Sequence, residues 1–470
     1  MAVIWWIRRD LRLSDNYTLN AALATGKPVI PVFILDLSLA TAKRQRRLGF
    51  LFQALRSLDL ELKNAGSGLV IRSGQPTREL ERLISETGAK KIFAGRDYTP
   101  TAMKRDSLVA KHLPLELVND QLVVEPEAAL KSDGTPYTVF TPFSKKWRSQ
   151  INPSQLILSA PSHYPPIRLP HSERVPETPN TTAFYASETE AASRLEAFAQ
   201  SSIFNYAENR DRLDIDGTSM LSPYFRFGLL SHRQAVSFAL NAINRIWHQD
   251  PSLPSERSSK GPETWLNELI WREFYIHILA NFPHVSKSEF NRSFSQVAWR
   301  YDQADLNAWK LGKTGLPVVD AAMRQLAQSG WMHNRARMIV ASFLVKDLLI
   351  DWREGEKWFA EQLVDADPAA NNGGWQWSAG TGTDAAPYFR VFNPVLQGQK
   401  FDPDGAYVRK WVPELSGFPP SLIHKPWEAD LFEQQAAQCK IGTDYPFPIV
   451  EREFSRQRAL RAYQTAKEQK

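Results

Sequence analysis

Cysteine is nearly absent: Cys439 is the one thiol in 470 residues. That excludes an intrachain disulfide, a four-cysteine zinc site and a four-cysteine iron–sulfur cluster. Long apolar runs are also missing. The run at the start, MAVIWWIRRD, is broken at Arg8, too early for a secretory leader. The stretch from Met338 to Val345 stops at Lys346, well short of a membrane-spanning helix. A cytoplasmic protein with no membrane segment is expected. No G-x-G-x-x-G follows the first apolar segment, so that dinucleotide fingerprint is excluded. There is no internal repeat, no low-complexity tract and no cluster of His, Cys, Asp and Glu that argues for a metal. Charge of one sign is only mildly in excess, 57 Lys and Arg against 51 Asp and Glu. A net +6 favours a polyanionic partner but equally fits an ordinary basic surface.

What is present divides by periodicity. Short apolar runs at Val3–Ile7, Val29–Leu35, Leu69–Ile71 and Lys91–Ala94 predict buried strands. Between them Asp15–Ala24, Arg44–Asn64 and Thr77–Thr87 predict helices, the first capped by Ser14 or Asp15. Alternating strands and helices imply a parallel sheet covered on both faces. From about Lys131 the pattern dissolves, and seven prolines between 151 and 180 predict a surface linker. From about Ser187 the period is helical. Pro317 opens a helix with Val319, Ala322, Met323 and Leu326 on one side, closed by Gly330. Ala336, Ile339, Val340 and Phe343 repeat that stripe.

Residues 331–377 hold the richest chemistry. Asn334, Arg335, Arg337 and Met338 are followed by Asp365 and Asp367, by the amides and glycines of Asn371–Gly374, and by Trp375 and Trp377 around Gln376. Glycines admit close backbone approach, amides and acids offer donors and acceptors, and indoles offer stacking surface. A redox-active aromatic cofactor beside an aromatic substrate would use that mixture. Each part also has a plainer explanation: an exposed helix side, a solvated loop before Pro368, an aromatic core, and for His333 a polar core or cap histidine. The run GTSMLSP puts hydroxyls ahead of a helix, with Ser222 as N-cap and Pro223 as first helical residue. Such a terminus can bind phosphate or can simply be capped. Glu268, Trp271, Arg272 and Tyr275 recur at i, i+3, i+4 and i+7 and share one helix face, as a cleft lining or as a solvated Glu268–Arg272 pair.

GTSMLSP, WLNELIWREFY, KTGLPVVDAAMRQL, GWMHNRARM, DWREGE and NNGGWQW resemble signatures of the photolyase/cryptochrome flavoproteins, and more closely those of the class I cyclobutane pyrimidine dimer photolyases. RRDLRLSDN resembles that family's opening strand and loop. The likeness covers nearly the whole chain and is weakest at 37–65 and 150–200. It implies an α/β N-terminal domain with a parallel, Rossmann-like sheet (1–130), an interdomain linker (131–195) and a mostly α-helical FAD- and DNA-binding domain (196–470).

By resemblance, Tyr206, Thr218, Ser219, Met220, Leu221 and Ser222 contact FAD, with Trp265 packed on it. Asp365, Ala366 and Asp367 meet its flavin and ribose side, and Arg337 pairs behind them. Asn371 is the amide facing flavin N5. Glu268, Trp271, Arg272, Asn334, Met338 and Trp377 match the substrate pocket, while Arg210, Arg335 and Gln397 match positions that hold the DNA strand. Trp375, Trp352 and Trp299 match a three-indole chain carrying electrons to photoexcited flavin.

The implied reaction is light-driven repair of cyclobutane pyrimidine dimers in DNA, by electron transfer from excited FADH⁻ to a flipped-out dimer. A monomer is expected. The alternative is a blue-light photoreceptor, a cryptochrome, on the same scaffold. Asn334 and Met338 stand where (6-4) enzymes carry histidines, and Asn371 stands where plant cryptochromes carry an acid. A second, antenna chromophore is expected in the α/β part. Arg47 and Asp97–Pro100 loosely match positions near a deazaflavin or flavin, and the loop between Asp36 and Arg47 looks short. The glutamate expected for a folate is missing near Ala102, and folate, 8-hydroxy-deazaflavin, FMN and no antenna at all stay open.

Overall fold

The computed structural model describes residues 2–468 except 37–44, 154, 155, 159, 160, 162, 163 and 249–257. Five parallel strands form one sheet in the order β3-β2-β1-β4-β5: β1 Val3–Ile7, β2 Val29–Leu35, β3 Val70–Ser73, β4 Ile92–Gly95 and β5 Leu115–Val118. The sequences VIWWI and VIPVFIL are buried along their whole length, as central strands covered on both faces must be. The four expected strands are present. β5 and the helix Pro100–His112 were not anticipated, because LELV is a short, half-buried edge with no apolar run to betray it.

The first helix, Tyr17–Leu23, is capped by Asn16 rather than Ser14 or Asp15; Asn16 Oδ1 accepts from Leu19 N at 2.8 Å. Asp15 is diverted to a tertiary role. It takes φ 46, and its carboxylate accepts from Arg233 Nε at 3.0 Å, Ser231 Oγ at 2.5 Å and Leu158 N at 2.8 Å. The second and third helices run Gln45–Asn64 and Pro76–Thr87; Arg44, expected to open the second, lies outside the described residues. Between Val118 and Glu188 the one α-helix among the described residues is Phe140–Arg148. From Glu188 onward the chain is helical, with no further strand among the described residues.

By internal packing the chain forms two compact units, Met1–Ala207 with Ser219–Pro283, and Glu208–Thr218 with His284–Lys470. The first contains the sheet and the helices Glu188–Gln200, His232–Trp247 and Lys260–Asn281. Glu273 ties its last helix to the segment after β5. The carboxylate, 1% exposed, accepts from Val123 N at 2.6 Å, Val124 N at 3.1 Å and Trp147 Nε1 at 2.5 Å, and meets His232 Nδ1 at 2.6 Å.

The second unit is built on one apolar cluster from Pro317–Ser329, Asn334–Ser342 and the helices around them; Val319, Ala322, Met323, Leu326, Ala336, Ile339, Val340 and Phe343 all lie in it. A π-helical turn, Phe343–Asp347, follows and buries Lys346. Lys346 Nζ donates to Ala379 O at 2.9 Å and lies 3.6 Å from the centroid of the Tyr463 ring. Burial pushes its pKa down to about 7. Between pH 7 and the ordinary lysine value the unfolded chain therefore holds the proton that the folded chain has lost, so folding stability gains as pH rises through that window. Lys346→Met should remove the gain. Urea unfolding at pH 7 and pH 9.5 should show a wild-type-minus-variant difference on the order of a few kcal/mol, and an identical pH slope in both proteins would contradict the assignment.

Candidate functional site

Expected site residues fall in both units, and each unit arranges its own share. In the second, Gly330 (φ 70) ends Pro317–Ser329, and the chain re-enters a helix at Asn334. His333 caps it: Nδ1 accepts from Arg335 N at 3.1 Å. The cap reading of His333 is therefore the right one for that nitrogen. Burial takes its pKa down to about 4, with Asp211 opposing and Arg335, Arg337 and Arg210 adding repulsion, so the ring is neutral at pH 7. Because Ala336, Ile339 and Val340 face the core, Asn334, Arg335, Arg337 and Met338 are left on the exposed or half-buried side.

Val364 N donates to Gly330 O at 2.8 Å, which brings the segment containing Asp365 beside that helix. Arg337 Nη2 donates to Asp365 Oδ2 at 2.7 Å, and Arg337 Nε holds Met332 O at 2.8 Å. Asp365 Oδ1 is buried and has no hydrogen-bond partner among the described residues. Asp367, with Ala366, is buried rather than part of a solvated loop. It is the N-cap of Pro368–Ala379, its Oδ1 accepting from Ala369 N at 3.0 Å and Ala370 N at 3.3 Å.

On that helix Asn371 Nδ2 donates to the Glu356 carbonyl at 2.9 Å. The carbonyl can only accept, so the amide orientation is fixed, and its Oδ1 accepts no hydrogen bond among the described residues. One turn on, Trp375 is wedged edge-on between Phe359 (centroids 5.0 Å) and Trp309 (6.1 Å). Its ring lies across Gly355, where a Cβ would fall 2.1 Å from Cη2. Trp352 and Trp375 belong to the central cluster, and Trp299 packs against it. Arg353 lies 4.6 Å over the Trp352 ring and is paired to Glu289 (2.8 Å) and Asp351 (3.1 Å). Trp377 is half-buried on the same helix as Trp375. Gln397 sits on the helix Pro394–Phe401, with a buried Oε1 that has no partner among the described residues. Arg335 Nη2 is engaged by Asp211 at 2.6 Å, and its guanidinium stacks 4.6 Å over Phe401. Arg210 Nε lies 3.8 Å from the same carboxylate.

In the first unit Tyr206 and Trp265 both pack on Phe198, at 5.8 and 5.0 Å between centroids. Glu268, Trp271, Arg272 and Tyr275 form the half-buried stripe of a helix whose other positions are mostly buried. Trp271 lies flat on Phe140, 3.9 Å apart and 2° from parallel, so one indole face is already covered. The segment Ser219–Ser222 is bent at Met220, which takes φ 50. Ser222 begins the helix instead of capping it. Leu221 is the N-cap, with no side-chain cap bond, and Pro223 falls second.

Asp211, Gly355 and Glu356 were not among the residues singled out from the sequence. Gly355 and Glu356 had a faint signal in DWREGE, where a helical glycine invites close packing; Asp211 was hidden in the mixed charges of ENRDRLD.

Residues 3–165 match the family described as DNA photolyase, and residues 265–465 the family described as FAD binding domain of DNA photolyase. A relative from Agrobacterium fabrum, named deoxyribodipyrimidine photo-lyase, is 41% identical over 99% of this chain and 98% of its own length. A solved bacterial class III photolyase from Agrobacterium tumefaciens matches with a TM-score of 0.91 at 40% identity, over 99% of this chain and 98% of that one. A cryptochrome from Synechocystis matches with a TM-score of 0.87 at 30% identity, over 98% of this chain and 99% of that one.

Proposed function

The chain belongs to the photolyase/cryptochrome family, as one of its deoxyribodipyrimidine photo-lyases, and from that premise we propose that it splits cyclobutane pyrimidine dimers in DNA under light. FAD, when bound in its reduced anionic form, supplies the photoexcited electron.

The Asn371 amide is the observation that supports this reading most. Its nitrogen end is committed to Glu356, so the oxygen end is the acceptor left for a ligand. A neutral acceptor suits the N5–H of a reduced flavin, whereas an acid at this position would add charge. The other residues proposed to hold the cofactor suit it by their chemistry. Asp365 has one oxygen neutralised by Arg337 and the other buried without a partner among the described residues, ready to accept from an N–H or hydroxyl donor. Thr218, Ser219 and Ser222 carry hydroxyls suited to a pyrophosphate, and Tyr206 and Trp265 supply aromatic surface. Trp375, Trp352 and Trp299 are the proposed electron relay. The Arg353 charge over the Trp352 ring is offset by its ion pairs with Glu289 and Asp351.

For the lesion, Glu268 and Asn334 are the proposed hydrogen-bonding groups for pyrimidine edges, Trp271 and Trp377 the proposed stacking faces, and Arg272 and Met338 the further proposed substrate contacts. Arg210, Arg335 and Gln397 are the proposed contacts to the strand. Likeness to a class III enzyme spans the whole chain, so these pocket residues support the cyclobutane lesion rather than a class I label. The division of labour we propose keeps 1–130 for a second chromophore, a folate, 8-hydroxy-deazaflavin or FMN, 131–195 as connector and 196–470 for FAD and DNA. Of the features bearing on that chromophore, the loop at 37–44 lies outside the described residues.

The test is an oligonucleotide carrying a thymine dimer, illuminated with the reduced, FAD-loaded protein. Recovery of intact thymines is expected; none recovered, with FAD shown to be bound and reduced, would end the repair reading.

A further inference from the structure

We infer that Asp211 is a built-in counter-charge, a carboxylate occupying in the DNA-free protein the seat that a backbone phosphate takes between Arg335 and Arg210. The inference deepens the proposed reading of those two arginines as DNA contacts and rests on it. Asp211 Oδ2 accepts from Arg335 Nη2 at 2.6 Å, a short charge-assisted bond, while Oδ1 lies 3.8 Å from Arg210 Nε. One carboxylate therefore spans both cations.

The geometry around it is built rather than incidental. Arg335 is stacked over Phe401, and its side chain is only 14% exposed. Its Nε is buried and has no partner among the described residues. The guanidinium cannot swing freely to a second site, so the carboxylate and a phosphate compete for one position. The segment bearing Asp211 is pinned by Leu213 N donating to Phe401 O at 2.8 Å, the same residue that supports the guanidinium. Gly217 presses against Asn209, where a Cβ would come within 2.7 Å of the carbonyl oxygen. The neighbouring acid, Asp214, is taken by Arg212, whose Nε donates to it at 2.7 Å. Asp211 is thus the acid of this segment that pairs with Arg335 and lies beside Arg210.

The consequence is a tuned affinity. A fixed anion at a phosphate seat weakens binding to every DNA sequence and lowers the number of cations that DNA binding displaces. Relief of that anion falls equally on damaged and undamaged backbone, so it changes the electrostatic part of binding and not the recognition of the lesion.

The experiment measures equilibrium binding of a dimer-containing duplex, in the dark, by FAD-loaded wild type, Asp211→Asn, Arg335→Ala and the double variant, across a salt series. Asp211→Asn is expected to bind roughly three- to tenfold more tightly near 0.1 M salt, with a log–log salt slope steeper by up to about one. Arg335→Ala is expected to weaken binding and flatten the slope by about one. In the Arg335→Ala background the gain from Asp211→Asn should fall below about twofold, because the paired cation is gone. Thermal midpoints report folding, and Asp211→Ser provides a second neutral replacement if the amide variant is unstable. Unchanged or weaker binding by both folded neutral variants would overturn the counter-charge. So would a full gain persisting without Arg335, which would make Asp211 a diffuse surface charge. Wild type that binds no duplex even at low salt would sink the DNA-contact reading itself, and this inference with it, which separates the two failures.

Discussion

In the FAD-loaded protein, Trp375→Phe is expected to abolish light-driven reduction of the oxidised cofactor. Phenylalanine retains an aromatic ring between Phe359 and Trp309, yet its benzene ring is far harder to oxidise than an indole. The larger indole also fills the surface over Gly355. Its loss opens a small cavity, which should lower stability by roughly 1–3 kcal/mol. Two readouts keep the effects apart: bleaching of the oxidised flavin band under light with an external thiol present, and the unfolding midpoint. Chemical reduction beforehand should bypass the defect. Photoreduction at the wild-type rate in the folded variant would remove Trp375 from the relay.

Gly228→Ala is expected to have the largest effect on folding. Gly228 ends the helix Ser222–Phe227 with φ 68, a conformation that already disfavours a side chain. An added Cβ would lie 1.8 Å from Arg9 O and 2.4 Å from Arg9 C, so it would collide with backbone rather than with a side chain that can turn away. Arg9 cannot retreat easily. Leu11 N bonds Phe227 O at 3.3 Å, and Arg12 Nη1 bonds Gly228 O at 3.2 Å across the same junction. Left-handed strain plus backbone overlap should cost more than about 3 kcal/mol. The measurement is the soluble folded yield and, where protein is recovered, its midpoint in urea. A shift below about 1 kcal/mol would show that this junction can yield.

The features legible in the sequence were those with a local cause. Continuous apolar runs exposed four of the five strands, and period-3.6 spacing exposed the Pro317–Ser329 helix and the Glu268–Tyr275 stripe, because each pattern is complete within about a dozen residues. β5 escaped because LELV is short, half-buried throughout and carries no apolar run, unlike the other edge strand, β3, whose first three residues are buried. Asp15 and Ser222 misled as cap candidates for different reasons: Asp15 is drawn to Arg233, more than two hundred residues away, and the Ser222–Phe227 helix has no side-chain cap.

The same limit applies at the candidate site. Asn371 and Arg337 were visible as residue types in a dense motif. That the first is anchored by a backbone carbonyl from the preceding helix, and that the second sits against Asp365, depends on packing between segments. The engagement of Arg335 by Asp211 depends on chain folding back over more than a hundred residues, which no short window contains.

The buried charges at the start of the chain carry a consequence for biosynthesis. Arg12 Nη2 holds Asp120 at 2.8 and 2.7 Å, and Arg233 reaches both Asp15 and Asp120 at 3.0 and 3.1 Å, with all four side chains at most 5% exposed. Until residue 233 has left the ribosome, Asp15 and Asp120 lack half of their compensating charge, and burying them is unfavourable. The nascent sheet should therefore stay open to protease through the synthesis of the first half of the polypeptide and close late, in one concerted event.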